Sequence, residues 1–222
     1  MKRLLTASFM VFLCTFNLNA AVCSFVRITD DNGLLDISDQ LKVIISSNGQ
    51  VYDDVYEQNV NKVTFKFQNL EDGIGSSISE IYFYDGSLLN MCSIDDSYDG
   101  VDFEQIGETV SPGHLPGYTP DNNPNFSLVS LLSATEAENP SPKKGVNPGQ
   151  WIKIGFTLLP GKTFQDLLDE MEAQRVVVGI HVQSIDSGTD QSDSFIATIP
   201  EPATLAMLAA GGLALIRKRS KK

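Results

Sequence analysis

The chain has 222 residues, of which 42% are hydrophobic and 20% are charged, and its formal net charge at pH 7 is −12. This composition excludes a fully disordered chain, and the acidic balance argues against a nucleic-acid partner, because phosphate binding requires clustered cations. Two histidines and three cysteines are too few for a zinc-finger framework or a disulfide-rich miniprotein.

The first 20 residues have the composition of a secretory signal peptide. Met1-Lys2-Arg3 carries positive charge, residues 4–18 contain no charged side chain, and the small residues Ala20 and Ala21 follow. A cationic start, an apolar stretch and small residues at the cleavage site are the three parts of such a peptide. We therefore predict a signal peptide at residues 1–20, with cleavage by signal peptidase after Ala20 or Ala21 and export of the remainder.

Residues 21–199 form one predicted domain that is rich in β-strands. Residues 61–69 and 150–158 alternate polar and apolar side chains, which is typical of half-buried antiparallel strands. Turn sequences such as Ser47-Asn48-Gly49 separate further short strands. These further predicted strands cover residues 25–29, 41–46, 80–84, 101–105, 126–132, 176–183 and 194–199.

One helix is predicted within the same domain. Thr163 is a suitable N-cap for it. Four apolar residues then follow the i, i+3, i+4, i+7 spacing of one helix face, namely Phe164, Leu167, Leu168 and Met171. Many short strands, glycine-containing turns and one short helix predict a mainly β fold, a single antiparallel β-sandwich or jelly-roll-like domain.

The predicted domain is strongly acidic. Nine of the 16 Lys and Arg residues and 27 of the 28 Asp and Glu residues lie within residues 21–199, which gives this part a formal net charge of −18. Such a charge favours solubility in an extracellular medium, and calcium binding or a cationic partner is the alternative. The best calcium candidate is the turn that contains Asp95, Asp99 and Asp102, but an EF-hand-like loop from Asp95 would have Ile106 in place of the bidentate glutamate. A solvated turn without metal is therefore expected there.

The sequence contains no pattern typical of an enzyme. It has no G-x-S-x-G, H-E-x-x-H or P-loop motif. His114 and His181 are expected to be structural, and the acidic residues are so numerous that close carboxylate pairs carry no information about glycoside hydrolysis. We therefore expect a protein with no enzymatic activity and no cofactor.

Two cysteines remain in the predicted domain, because Cys14 leaves with the signal peptide. Export permits a disulfide between Cys23 and Cys92, and closing so long a loop could stabilise the fold by roughly 4 kcal/mol. Two free buried thiols are the alternative.

The C-terminal residues form a segment with three parts. Pro200-Glu201-Pro202-Ala203-Thr204 comes first, residues 203–216 contain no charge, and Arg217-Lys218-Arg219 begins a basic end. As a helix the uncharged run would span about 21 Å of the ~30 Å hydrocarbon core, so we predict a short transmembrane helix that is supported by snorkelling of its basic residues. Clustered cations predict that this end stays on the cytoplasmic side.

The order of these parts over residues 200–222 resembles the PEP-CTERM sorting signal. The resemblance implies a Gram-negative bacterium that makes exopolysaccharide, and recognition of the tail by exosortase, a membrane-embedded cysteine transpeptidase-like enzyme that cuts near Pro-Glu-Pro. It also implies anchoring in the inner membrane before processing and a final location at the outer cell surface or in the extracellular matrix.

The leading hypothesis is an exported, non-enzymatic protein of the cell envelope or extracellular matrix that is sorted through this tail and associates with exopolysaccharide. The alternative is a carbohydrate-binding module of the same architecture, in which exposed aromatic side chains stack on sugars. Aromatic side chains that share one exposed face would favour the alternative, and burial of these side chains would argue against it. The aromatic candidates are Trp151, Tyr52, Tyr56, Tyr82, Tyr84, Tyr98 and Tyr118.

The signal peptide can be tested by N-terminal sequencing of the exported protein. The mature chain should begin at Ala21 or Val22, because the small residues at positions 20 and 21 suit the peptidase. Precursor trapped in the cytoplasm should begin at Met1, and exported protein that also begins at Met1 would contradict the prediction.

Overall fold

The computed structural model describes residues 19–29, 35–85, 88–106, 115, 134–137, 141–187 and 191–199. Most of the predicted signal peptide, the predicted strand at residues 126–132, His114, Tyr118 and the sorting segment from Pro200 onward lie outside the described residues.

The described residues form a mainly β structure in which every strand pairing is antiparallel. This confirms the predicted β class. The strands are β1 (Ala20–Arg27), β2 (Leu41–Asp53), β3 (Gln58–Asn69), β4 (Ser77–Asp85), β5 (Leu89–Asp95), β6 (Phe103–Ile106), β7 (Ala134–Ala137), β8 (Trp151–Leu158), β9 (Val176–Gln183) and β10 (Ser192–Thr198). The helices are α1 (Ser141–Lys144) and α2 (Phe164–Glu172), with 3-10 turns at Ser38–Gln40 and Ile185–Ser187.

The ten strands form one continuous sheet, in the order β5-β8-β3-β2-β1-β10-β9-β4-β7-β6. β3 and β4 stand five places apart in this order, yet the rings of Phe65 on β3 and Phe83 on β4 are 5.2 Å apart. Phe83 also meets Phe156 of β8 at 4.7 Å. These contacts require the sheet to curl until its two halves face each other. The predicted sandwich or jelly roll, with two separate sheets, is not confirmed, because the hydrogen bonds run from one half to the other through β1 and β10.

The inner face of the sheet follows from the alternation in the sequence. Val63, Phe65 and Phe67 of β3 are fully buried, while the residues between them are half-buried. Because side chains of a strand point alternately to its two faces, this pattern places one face of β3 in the core, as predicted.

Helix α2 also matches its prediction. The Thr163 hydroxyl accepts a hydrogen bond from the Asp166 amide, and the Asp166 carboxylate accepts one from the Thr163 amide, which is a capping box. The four predicted apolar residues are buried beneath the helix. The hydrogen bonds from Thr163 also lower the pKa of Asp166.

The hairpin between β2 and β3 differs from its prediction. The sequence Ser47-Asn48-Gly49 predicts a turn, but the register of β2 against β3 shifts there and the strand continues to Asp53. Gly49 has φ +77°, a conformation that glycine adopts without strain, and the one extra residue of β2 forms a bulge. The chain reverses instead at residues 54–57.

The outer face of β4 and β9 is covered as well. Leu115 packs there against Tyr82, Tyr84 and Val177, and its amide donates to the Tyr84 hydroxyl at 2.8 Å. A Cβ on Gly179 would lie 2.3 Å from Leu115 Cδ2, so the glycine makes room for this leucine. Because both faces of β9 are buried, its sequence is nearly continuously apolar.

The possible disulfide between Cys23 and Cys92 is not supported by the strand order. Cys23 on β1 is a buried, free thiol, and burial raises its pKa to about 12. Cys92 lies on β5, four strands away, and neighbouring strands are about 4.8 Å apart. The ladders also place Cys23 level with Ile152 of β8, whereas Cys92 lies opposite Phe156. A disulfide needs Cα atoms within about 7 Å of each other, so the arrangement favours free thiols.

The aromatic contact that closes the curl can be tested by truncation. Phe83→Ala should lower the free energy of unfolding by about 3–5 kcal/mol, because it leaves a cavity between the facing halves. Urea denaturation of the exported body measures this loss. Tyr52→Ala, which truncates an aromatic residue that is 58% exposed, is the control and should change the free energy by no more than about 0.5 kcal/mol. Equal losses of unfolding free energy in Phe83→Ala and Tyr52→Ala would contradict the role of Phe83 in closing the curl.

The thiols can be counted by alkylation without a reducing agent. Two thiols per mature chain should react after denaturation. In native Cys92→Ser protein the remaining Cys23 should not react at pH 8, because it is buried and hardly forms a thiolate at that pH. If no thiol reacts in the denatured, unreduced protein, Cys23 and Cys92 form a disulfide and the prediction of free thiols is wrong.

Candidate functional site

The described structure ends next to the predicted sorting motif. The last described residue is Ile199, one position beyond the end of β10. β10 is an interior strand, paired with β1 on one side and β9 on the other. Thr198 lies opposite Ser24 of β1, and its hydroxyl donates to the Ser24 carbonyl at 3.3 Å. The tail therefore continues directly from a strand that is held on both sides.

Two prolines follow β10 in the sequence and bear on whether its ladder with β1 could continue. The Ile28 amide of the neighbouring chain segment donates to the Ser194 carbonyl at 2.9 Å, so the Ser194 backbone faces β1. The backbone groups of every second residue of an antiparallel strand face the same neighbour. Thr198 therefore faces β1 as Ser194 does, and Pro200 and Pro202 would also face β1 if the strand continued. Proline has no N–H, so neither proline could donate to β1 if β10 were extended. The Pro-Glu-Pro sequence therefore lacks two of the donors that a continued ladder with β1 would need.

Both ends of the described body lie at the same end of the sheet. β1 begins at Ala20 and runs antiparallel to β10, which ends at Thr198. The first residues of β1, where signal peptidase is predicted to cut, therefore lie on the strand next to the one that leads into the tail. We call this side of the body the exit end.

The opposite end of the sheet is held by buried polar contacts. The Gln40 side-chain amide donates to Asn69 Oδ1 and to Ser76 Oγ, both at 2.9 Å. An ion pair of 3.0 Å joins Arg27 to the buried Asp193. Each of these groups has a partner within the body, so we interpret them as structural.

The structure does not assemble the calcium candidate. Asp95 pairs with Lys153 at 3.0 Å, and hydrogen bonds from Ser97, followed by that from Lys153, lower the pKa of Asp95. Asp102 pairs with Lys144 at 2.9 Å, and the Asp99 carbonyl accepts from Gln150 at 3.1 Å. Within the described part of the chain, no group of three His, Cys, Asp or Glu side chains is placed to hold a metal ion.

His181 forms a polar pair with a serine on the neighbouring strand. Its Nδ1 lies 3.1 Å from Ser194 Oγ, and both residues are buried. Burial lowers the pKa of His181, and the charge of Asp193 acts in the opposite direction. A serine and a histidine are the first two members of a hydrolytic triad, but this serine has no exposed surface on which a substrate could bind. The pair therefore satisfies two buried polar groups.

The aromatic candidates for sugar stacking that the structure describes do not share one exposed face. Tyr82 and Tyr84 are buried. Tyr98 packs edge-on against Trp151 at 5.7 Å, and Lys153 Nζ lies 4.2 Å from the Trp151 ring centre. Two further aromatic residues are exposed, Tyr52 and Tyr56, and they lie together on the β2–β3 hairpin.

This hairpin forms a projecting surface that the sequence reading missed. We define the β2–β3 arm as residues 50–61. Among the described residues, β1 and the preceding Asn19 pair with β2 as far as Ser47, and β8 pairs with β3 from Lys62 onward. The arm therefore extends beyond both of these described neighbours. Its tip carries Val51, Tyr52, Val55 and Tyr56, which are 39–77% exposed. The repeated Val-Tyr pairs on either side of two aspartates were the signal for it in the sequence.

Comparison with known proteins identifies the segment that follows β10. Within the described residues, no helix has both the length and the apolar character needed to cross a membrane, and the predicted run at residues 203–216 lies outside them. No curated protein and no solved structure matches the chain. A family model for the PEP-CTERM protein-sorting motif matches residues 198–220, beginning at the last residue of β10. The chain therefore carries a PEP-CTERM protein-sorting motif, as the resemblance in its sequence indicates.

Proposed function

We propose that this protein is a non-enzymatic component of the cell envelope or extracellular matrix, exported by signal peptidase processing and sorted by exosortase through residues 198–220. The observation that carries the proposal is the match of the sorting motif to these residues. The final location would be the outer cell surface or the exopolysaccharide matrix of a Gram-negative bacterium.

The local chemistry of the tail supports recognition in an extended form. Pro202 disfavours the helical conformation at Glu201, and Pro200 fixes its own φ. Neither proline can extend the pairing of β10 with β1. A processing enzyme would therefore meet an extended Pro-Glu-Pro segment beside a folded body, with Glu201 as the one charge in the motif.

The uncharged run that follows suits a temporary anchor. Residues 203–216 would span less than the hydrocarbon core as a helix, and Gly211-Gly212 lowers their helix propensity. The basic residues from Arg217 to Lys222 would hold that end in the cytoplasm and the body on the outer side of the inner membrane. Cutting near Pro-Glu-Pro would then release the body.

The described body supports a binding or structural role. Its serine–histidine pair is buried, and Asp95 and Asp102 are paired with lysines. Association with exopolysaccharide is the finer part of the proposal. The carbohydrate-binding alternative is supported among the described aromatic residues mainly by Tyr52 and Tyr56, which are exposed on the arm.

The sorting role predicts a defect in processing when the tail is changed. Glu201→Ala should leave unprocessed protein in the inner membrane, because it removes the charge of the motif. Deletion of residues 217–222 should also leave the protein unprocessed, because it removes the residues that hold the segment in position across the membrane. Cell fractionation and mass spectrometry of the C-terminus measure this. Glu104→Ala removes an exposed acid of the body and should be processed normally.

The alternative to a sorting signal is a plain tail anchor that is not cut at Pro-Glu-Pro. If released protein keeps its C-terminal lysines, or if Glu201→Ala is processed as well as Glu104→Ala, the Pro-Glu-Pro segment does not act as a sorting signal.

A further inference from the structure

The distance between the body and the predicted membrane run is short. Four residues separate Thr198, the last residue of β10, from Ala203, the first residue of that run. Five steps of extended chain span at most about 18 Å. While the tail is in the membrane, as the proposed function requires, Thr198 therefore lies within about 18 Å of the hydrocarbon core.

The β2–β3 arm reaches farther than this distance. β2 and β10 both run antiparallel to β1 and therefore point in the same direction. Thr198 and Lys42 both lie opposite Ser24, and β2 continues from Lys42 to Asp53. The bulge takes up one of those eleven steps, so they cover about 33 Å along the strand, or roughly 21 Å along the direction of β10 once a twist of about 25° at each of two strand steps is allowed for. With β10 directed towards the bilayer, the tip of the arm arrives at the membrane before the body does.

The side chains at the tip suit a membrane interface. Val55 is 77% exposed and Tyr52 is 58% exposed. The Asp53 carboxylate accepts hydrogen bonds from the Val55 and Tyr56 amides at 2.9 and 3.1 Å, which fixes the turn that presents these residues. Tyrosine is enriched at the level of lipid headgroups, because its ring is apolar and its hydroxyl is polar.

The charges of the tip limit how deeply it enters. Asp54 and Glu57 are exposed beside the apolar residues, and an ionised carboxylate is costly to transfer into hydrocarbon. The tip is therefore expected to stop at headgroup depth. Its two acids also predict a weaker contact with a more anionic bilayer.

We propose that the tip of the β2–β3 arm contacts the outer surface of the inner membrane at headgroup depth as long as the tail is uncleaved. The partner of this apolar tip is the lipid bilayer. Two observations favour this partner, namely the short link between the body and the tail and the common direction of β2 and β10. The contact holds the exit end of the body against the membrane where the sorting segment emerges.

Depth-dependent quenching of tryptophan fluorescence tests this proposal. Uncleaved protein, residues 21–222, is reconstituted in vesicles of phosphatidylethanolamine and phosphatidylglycerol. Val55→Trp is compared with Leu70→Trp, both in a Trp151→Phe background. Leu70 is an exposed apolar residue that follows β3 at the end of the sheet opposite the arm, so it is the matched control. Circular dichroism checks that each variant is folded.

The tryptophan at position 55 should lose fluorescence to a nitroxide at the lipid headgroup and less to one deep in the acyl chains, and the loss should shrink as the phosphatidylglycerol fraction rises. The tryptophan at position 70 should be unaffected. If the protein floats with the vesicles but both positions behave alike, the arm does not contact the bilayer, although the anchoring role of the tail stands. A change at position 55 on adding exopolysaccharide in place of vesicles would then assign the tip to sugar binding. If the protein does not float at all, the anchoring fails and the inference fails with it.

Discussion

The packing of Phe83 against the phenylalanines of β3 and β8 is the contact on which the architecture depends. A ten-stranded ladder is hydrogen-bonded along its length whether or not it curls, so hydrogen bonding alone does not bring its halves together. The aromatic cluster supplies that closure, because it buries rings from strands that are five and six places apart. The strand order places β1 and β10 at the centre of the ladder, and the tail continues from there.

The two ends of the curled sheet differ in character. At one end Gln40, Asn69 and Ser76 form a buried hydrogen-bonded group, and Arg27 pairs with Asp193. Buried groups of this kind hold one arrangement, because breaking any member leaves an unsatisfied polar atom. The exit end instead carries the arm, the start of β1 and the route to the tail. The fold thus separates an end that is held by buried polar contacts from the end at which the chain leads into the sorting motif.

Features that depend on local periodicity could be predicted from the sequence, and features that depend on distant contacts could not. β3, β8, β9 and α2 were predictable because their side-chain spacing is set by the strand or helix itself. The arm was not, because Ser47-Asn48-Gly49 suits a turn and a bulge equally well and only the partner strand decides between them. The single sheet and the separation of Cys23 from Cys92 depend on strand order, which no local pattern encodes. The sorting motif was fully predictable, since a linear signal is recognised by its order of residues.

The position of β10 inside the sheet also determines how the body responds to tension. A pull on the tail acts along β10 and loads its ladders with β1 and β9 in shear, so many bonds that lie perpendicular to the strand must break together. A tail on an edge strand would load only one ladder. If the tail is anchored as proposed, the body resists being unravelled by a pull through it, and a cut near Pro-Glu-Pro would release the body still folded.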